Sequence, residues 1–246
     1  MPIPPLPQDS SYPGRRRAVR VLPVIHHRDD ALSIEQAELA FELGADGVFL
    51  IEMDRSHWRP EAAAAAIRER HPGRPVGMNR LGLSPAEAIL RDASIGLDMT
   101  WTDASGLNSD PAYRWSDDRI LEVSRALDQA RTGREHDLFF AVAFKYQARD
   151  PDPPRTAREA ASLGWIPTTS GAGTGIAAEP EHLEAMRHAL GEAPLAIASG
   201  ITPENASSYL GTVTHILVST GISYPDDEYR FDPSRVRSLL RAVRGA

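Results

Sequence analysis

PLAIASGITPENASSYLGTVTHILVSTGIS, residues 194–223, is the stretch whose reading decides the fold. Its apolar run at 195–198 reads as a buried strand that breaks at Ser199-Gly200. Thr202-Pro203 has the form of a helix N-cap followed by proline in the first turn. A second buried strand, 216–218, ends in Ser219-Thr220-Gly221. The whole is one strand–helix–strand unit, which joins parallel strands. Both strands end in small residues, so backbone N–H groups there are open to an anion with no side chain in the way.

The same unit recurs upstream. Residues 19–25, 47–51, 75–78, 97–101, 138–144 and 165–168 read as six earlier strands. Helices follow at 33–43, where SIEQ suggests a capping box, and at 60–70. Ser84-Pro85-Ala86-Glu87 opens a third helix, 117–131 a fourth, Thr156 with Glu159 caps a fifth, 180–190 is a sixth, and Asp232-Pro233 opens the last. Eight strand-then-helix units fit between Val19 and Val243. They predict an α/β chain forming a single (β/α)8 barrel with eight parallel strands. The alternative, an open doubly wound sheet, is disfavoured because no GxGxxG follows the first strand. Residues 1–18, rich in proline with an arginine run at 15–17, form an arm that cannot build a core, leaving 19–246 as the barrel domain.

Composition agrees. The chain has 246 residues and is 41% hydrophobic, and one such barrel takes roughly 250 residues. A net charge of −7 excludes a sequence-independent nucleic-acid binder, so no nucleic-acid partner is expected. Without cysteine there is no disulfide, thiolate metal site or thiol nucleophile. No apolar run reaches the roughly 18 residues of a membrane helix, so no membrane partner is expected. The arginine run could open a twin-arginine export signal, but the apolar stretch after it is short and soon broken by His26, His27 and Arg28. The expected location is cytoplasmic.

In a barrel of this kind, chemistry sits at the strand C-termini, and phosphate is commonly held by the loops after the seventh and eighth strands. Those ends carry His26 and His27, Glu52 and Asp54, Asn79, Trp101 and Asp103, Lys145, Thr169 and Ser170, Ser199 and Gly200, and Ser219 and Thr220. Several ionisable groups converging on one rim are hard to explain by packing alone. His27 alternates away from His26 and reads as structural. Glu52 and Asp54 share a face, which fits either a carboxylate pair for metal or acid–base work or salt bridges to rim arginines; no metal and no cofactor is assigned. His57, His71, His136, His182 and His188 fall in loops or helices and read as surface residues. Residues 103–118 form a connection longer than a barrel needs, either a lid or an ordered inert loop.

Seven segments in order, VLPVIHH, ADGVFLIEMD, PVGMN, FFAVAFKY, TTSGAGTG, PLAIASGITPEN and HILVSTGIS, resemble the BtpA family of the ribulose-phosphate-binding barrel group. The match runs from about Val21 to Leu240. The resemblance implies roles for His26, Glu52, Asn79 and Lys145, and places an SGxTxEN turn on Ser199, Gly200, Thr202, Glu204 and Asn205. The chain departs from the family after the eighth strand: Ser219, Thr220, Gly221 and Ser223 stand where a Gly-Thr pair and a lysine are usual. The phosphate site thereby lacks one positive charge.

Two function classes follow. One is an isomerase, lyase or glycosidic-bond enzyme acting on a phosphorylated sugar or nucleotide-like molecule. Its catalytic residues would be Lys145, Glu52, Asp103 and His26, and its binding residues Asn79, Thr169, Ser170, Gly171, Gly173, Ser199, Gly200, Ile201, Thr220 and Gly221. The other is a non-catalytic assembly or ligand-binding protein, since a member of the family is linked to photosystem biogenesis. A homo-oligomer fits either class. The ionisable ring favours the enzyme. Lys145 favours it too: it is the single lysine among 27 lysines and arginines, and only lysine offers a compact amine whose proton can be lost on burial.

Overall fold

A computed structural model describes residues 18–53, 60–104, 106–173 and 175–245. The proline-rich arm up to residue 17, Asp54 and His57 lie outside the described residues. The chain alternates β1 (Arg20–His26), α1 (Asp30–Glu42), β2 (Val48–Ile51), α2 (Glu61–Arg70), β3 (Val76–Asn79), α3 (Pro85–Ser94), β4 (Met99–Thr102) and α4 (Asp117–Ala130). It continues with β5 (Asp137–Ala141), α5 (Pro153–Ser162), β6 (Ile166–Thr169), α6 (Pro180–Leu190), β7 (Ala196–Ala198) and β8 (His215–Val218). The first eight strands form a closed parallel barrel, β1 pairing with β2 on one side and β8 on the other. The expected fold class is correct.

The strands read as nearly unbroken apolar runs because both of their faces are buried. Leu22, Val24, Phe49, Met99, Phe139, Ile166, Ala196 and Leu217 fill the interior. Their neighbours in sequence, among them Val21, Ile25, Val48, Leu50, Phe140 and Ile216, pack outward against the helices. Large and small residues interlock inside. Phe49 meets Phe139 edge-on at 5.1 Å and Trp101 at 5.9 Å. Gly77 makes this possible, since a Cβ there would lie 2.5 Å from the Phe49 ring and 2.7 Å from Met99 Cβ.

Several local expectations are corrected. No α-helix follows β7: the backbone N–H of Thr202 donates to Asn205 Oδ1 at 2.8 Å, Asn205 Nδ2 donates to Gly200 O at 2.7 Å, and only a 3-10 turn, Ala206–Tyr209, follows. The side-chain bonds of Asn205 satisfy the backbone in a turn and compete with a helix start. Helix α1 starts earlier than expected because Asp29, not Ser33, caps it, accepting from Leu32 N at 2.8 Å. Asp152 caps α5 in place of Thr156. Strand β5 stops at Ala141 because Ala143 turns into a left-handed conformation with φ 47. Between β8 and the last helix, α7 (Pro233–Arg244), an antiparallel hairpin appears that the sequence reading missed: β9 (Ser223–Tyr224) and β10 (Asp227–Phe231). Among the described residues no helix is long and apolar enough to cross a membrane.

Candidate active site at the mouth of the barrel

The interior-facing alternation of the strands carries His26 at the end of β1 and Asn79 at the end of β3 to one rim. Asp103 follows β4, and Lys145 stands on the loop after β5. Asn79 Nδ2 donates to Asp103 Oδ1 at 3.2 Å, and Lys145 Nζ donates to Ser199 Oγ at 2.9 Å, joining β3 to β4 and β5 to β7. The Lys145 charge reaches both Asp103 and His26. Thus Lys145, Asp103, His26, Asn79 and Ser199, chosen from sequence, converge. Glu52 is half-buried directly after β2, whose Ile51 is in register with His26.

Burial sets the electrostatics. It raises the Asp103 carboxyl above its ordinary value, although the Asn79 hydrogen bond and the Lys145 charge pull it back. Burial lowers His26 from the ordinary 6.5, opposed by Glu228 and reinforced by Lys145. The result is an imidazole that holds a proton less readily than usual and a carboxylate that holds one more readily, both within the field of Lys145. Two further buried polar atoms have no hydrogen-bond partner among the described residues: Asn79 Oδ1 and Trp101 Nε1, on residues that pair in register between β3 and β4.

Backbone strain gathers at the same place. The non-glycine residues with positive φ among the described residues are Ala143 (47), Tyr146 (62) and Ser199 (66). The first two flank Lys145 and the third accepts its hydrogen bond. Strained conformations of this kind persist only where the surroundings hold them. Ser170 Oγ accepts from Lys145 N at 2.9 Å, and Gln147 Nε2 donates to Asp103 O at 2.9 Å, so the Lys145 loop is clamped from two sides.

The loops proposed for phosphate interlock through glycine. A Cβ on Gly171 would sit 2.1 Å from Ile176 O, and one on Gly200, with φ +70, would sit 2.4 Å from Ala177 N. A Cβ on Gly221 would sit 1.8 Å from Ile201 O. The loops after β6, β7 and β8 are therefore pressed backbone to backbone, which only glycine permits. Among the described residues, the N–H groups of Gly200 and Ile201 donate to no backbone carbonyl. Gly173 lies beside Ile176, whose N–H donates to Gly173 O at 3.1 Å. Thr169 and Ser170 are buried, and their hydroxyls donate to Ala143 O and Gly171 O, holding the loops after β5 and β6 together.

Other candidates fall outside the mouth. His27 Nδ1 bonds Ser33 Oγ at 2.9 Å beneath α1, as its alternation suggested. His136, expected at the surface, is buried, with Nε2 3.0 Å from Thr100 Oγ1. The connection after Asp103 is anchored: Leu107 and Asn108 are buried, Ser109 N donates to Asp150 Oδ1 at 3.2 Å, and Arg114 pairs with Glu159 at 2.6 Å. Sequence reasoning missed Gln147, Glu228 and Arg235. Arg235, on α7, donates from Nε to Gly221 O at 2.9 Å and so sets a guanidinium against the β8 loop. Gln147 was legible as a polar residue just past a strand end. The other two required the fold.

No protein-family model matches the chain, and no curated protein matches it in sequence. The BtpA family is therefore not shown, and its likeness rests on short segments alone. Solved structures do match. KGPDC from Streptococcus mutans in complex with D-R5P has a TM-score of 0.68 and 9% identity, covering 92% of this chain and 98% of that one. 3-Hexulose-6-phosphate synthase matches at 0.66 and 15%, covering 91% and 99%. Phosphoribosyl anthranilate isomerase from Thermotoga maritima matches at 0.61 and 17%, covering 93% and 100%. Identities this low show the fold alone, so the conclusion at this level is architectural: this chain is a TIM barrel similar in fold to enzymes that handle sugar phosphates.

Proposed function

We propose that the chain is an enzyme of the BtpA-like, ribulose-phosphate-binding group acting on a phosphorylated sugar or nucleotide-like small molecule. The observation that carries this reading is the position of Lys145: hydrogen-bonded to Ser199 at the phosphate-type loops, and within the field of Asp103 and His26. Backbone N–H groups of Gly171, Gly173, Gly200, Ile201, Thr220 and Gly221 would hold the phosphate, as oriented amides hold anions elsewhere. The rest of the substrate would then lie across the mouth, with Asn79 positioning a hydroxyl.

The chemistry follows from the charges. Lys145 is a proton donor for oxygen that gains negative charge during reaction, and Asp103 and neutral His26 are bases for the proton lost from carbon or hydroxyl. Glu52 completes the carboxylate supply. Such a set serves isomerisation, lyase chemistry, or transfer or cleavage at a glycosidic bond. The test compares ribose 5-phosphate, ribose and inorganic phosphate as stabilisers of the native state, since a ligand that binds only the folded protein raises its melting temperature. Ribose 5-phosphate should stabilise most and ribose least. Equal effects of ribose and ribose 5-phosphate would remove phosphate recognition from the reading.

A further inference from the structure

The hairpin between β8 and α7 packs beside the end of β1. It is firmly seated: Phe231 is buried, its N–H donates to Gln36 Oε1 on α1 at 2.7 Å, and Asp232 N donates to Ile222 O at 2.8 Å. Arg230 pairs with Glu35 at 3.4 Å, and the Arg28 guanidinium lies 5.8 Å from the centre of the Tyr229 ring, tying β10 to the end of β1. Glu228 projects from this hairpin, half exposed, with Oε2 3.4 Å from His26 Nδ1. His26 is 8% exposed, and Nδ1 makes no aligned hydrogen bond with any described residue. A contact of this length is what a catalytic hydrogen bond shows before substrate tightens it.

We infer that Glu228 is the positioning residue of His26: it holds the imidazole with its proton on Nδ1 and leaves Nε2 as the base that faces the substrate. The inference deepens the proposed function and rests on His26 acting in that site. When Nε2 accepts a proton, the Glu228 carboxylate compensates the imidazolium charge while Nδ1–H stays donated to it. This arrangement makes the hairpin a part of the site rather than a connection. The charged groups facing His26 are Glu228 from β10 and Lys145 from the β5 loop, with Glu52 after β2 and Asp30 on α1, which pairs with His27, on the neighbouring elements. Glu228 raises the imidazole's proton affinity, and Lys145 lowers it.

The experiment is a nitrogen-detected NMR titration of the histidine rings in the full chain, without ligand, with the His26 signals assigned by their loss in His26→Gln. In the unsubstituted protein the neutral ring should carry its proton on Nδ1. Glu228→Ala should shift the population toward the Nε2–H form and lower the His26 midpoint; Glu228→Gln, which keeps an acceptor, should retain the tautomer but still lower the midpoint. Because Glu228 is half exposed, both variants should fold, which unchanged signals from the buried His136 and His215 would verify. An unchanged tautomer and midpoint for His26 in Glu228→Ala would overturn the inference. Turnover separates it from the functional reading: if the ring responds as expected but His26→Gln leaves turnover intact once a substrate is in hand, the dyad is real and the proposed role of His26 is wrong.

Discussion

At the scale of single residues, Lys145 carries most of the argument. The composition singled it out, since arginine takes every other basic position. The fold then placed its amine 2.9 Å from Ser199 Oγ, between strained residues. Arginine at this position would keep a positive charge but present a planar fork that does not surrender its proton. Lys145→Arg should therefore leave the melting temperature and anion binding near normal and lower turnover by about 10²–10⁴-fold, the usual worth of one acid–base group. Near-normal turnover would reduce Lys145 to a charge contact. The phosphate loops allow a second residue-scale test, and here the geometry decides which substitution is informative. Gly200→Asp would collide with the Ala177 backbone at 2.4 Å and strain a φ of +70, so it would disturb the loops themselves. Thr220 is exposed, and Thr220→Asp adds only a negative charge. That variant should fold normally and lose the stabilisation given by ribose 5-phosphate; retention of the full effect would move the anion elsewhere. His26, Asn79, Asp103 and Ser199 were legible because strand alternation fixes which side chains point inward. Glu228 was not, because nothing in PDDEYR announces which residue folds back against His26.

Secondary-structure elements were legible where propensity and packing agree. Ser84 and Glu87 form the capping box that their spacing suggests, with Glu87 N donating to Ser84 Oγ at 3.3 Å and Ser84 N to Glu87 Oε2 at 3.1 Å. The reading failed after β7, where Asn205 satisfies the backbone that a helix start would have used. At 103–118 the sequence left a lid and an ordered loop open, since loop length alone does not distinguish them, and the contacts of the loop favour the ordered one. The anchor is Asp150, whose Oδ1 accepts from the backbone N–H groups of Ser109 at 3.2 Å and Asp152 at 3.0 Å, and from the Ser109 hydroxyl. Asp150→Ala leaves these donors without their carboxylate and should cost about 1–3 kcal/mol. Hydrogen exchange at residues 107–110 should quicken in that variant while β4 and β5 stay protected. In the unsubstituted protein the same residues should exchange equally slowly with and without ligand. A strong gain of protection on adding substrate would restore the lid.

The whole barrel was legible because eight alternating units leave few ways to bury both faces of eight short strands. Its pH response was not, because it depends on which histidines the fold buries. Burial holds His136 down at about 4 and His215 down at about 3, while both take up a proton near pH 6.5 once unfolded. Their neutral forms stabilise the native state fully above pH 6.5, and that contribution drains as pH falls toward 4. Asp92, which burial pushes up to about 6, works in the opposite sense over much the same range and offsets one histidine. Denaturant unfolding should therefore show lower stability at pH 4 than at pH 7. Equal midpoints would mean that the histidines are solvated in the native state. The central claim, an anion held by the β6, β7 and β8 loops beside Lys145, is tested most directly by a crystal soaked with ribose 5-phosphate. The account predicts phosphate density within hydrogen-bond reach of the N–H groups of Gly200, Ile201, Thr220 and Gly221, with the sugar extending toward Lys145 and Asp103. Phosphate density confined to the cleft of about 370 Å³ on the outer surface, lined by Glu35, Glu38, Tyr224 and Arg230, with an empty barrel mouth, would contradict it.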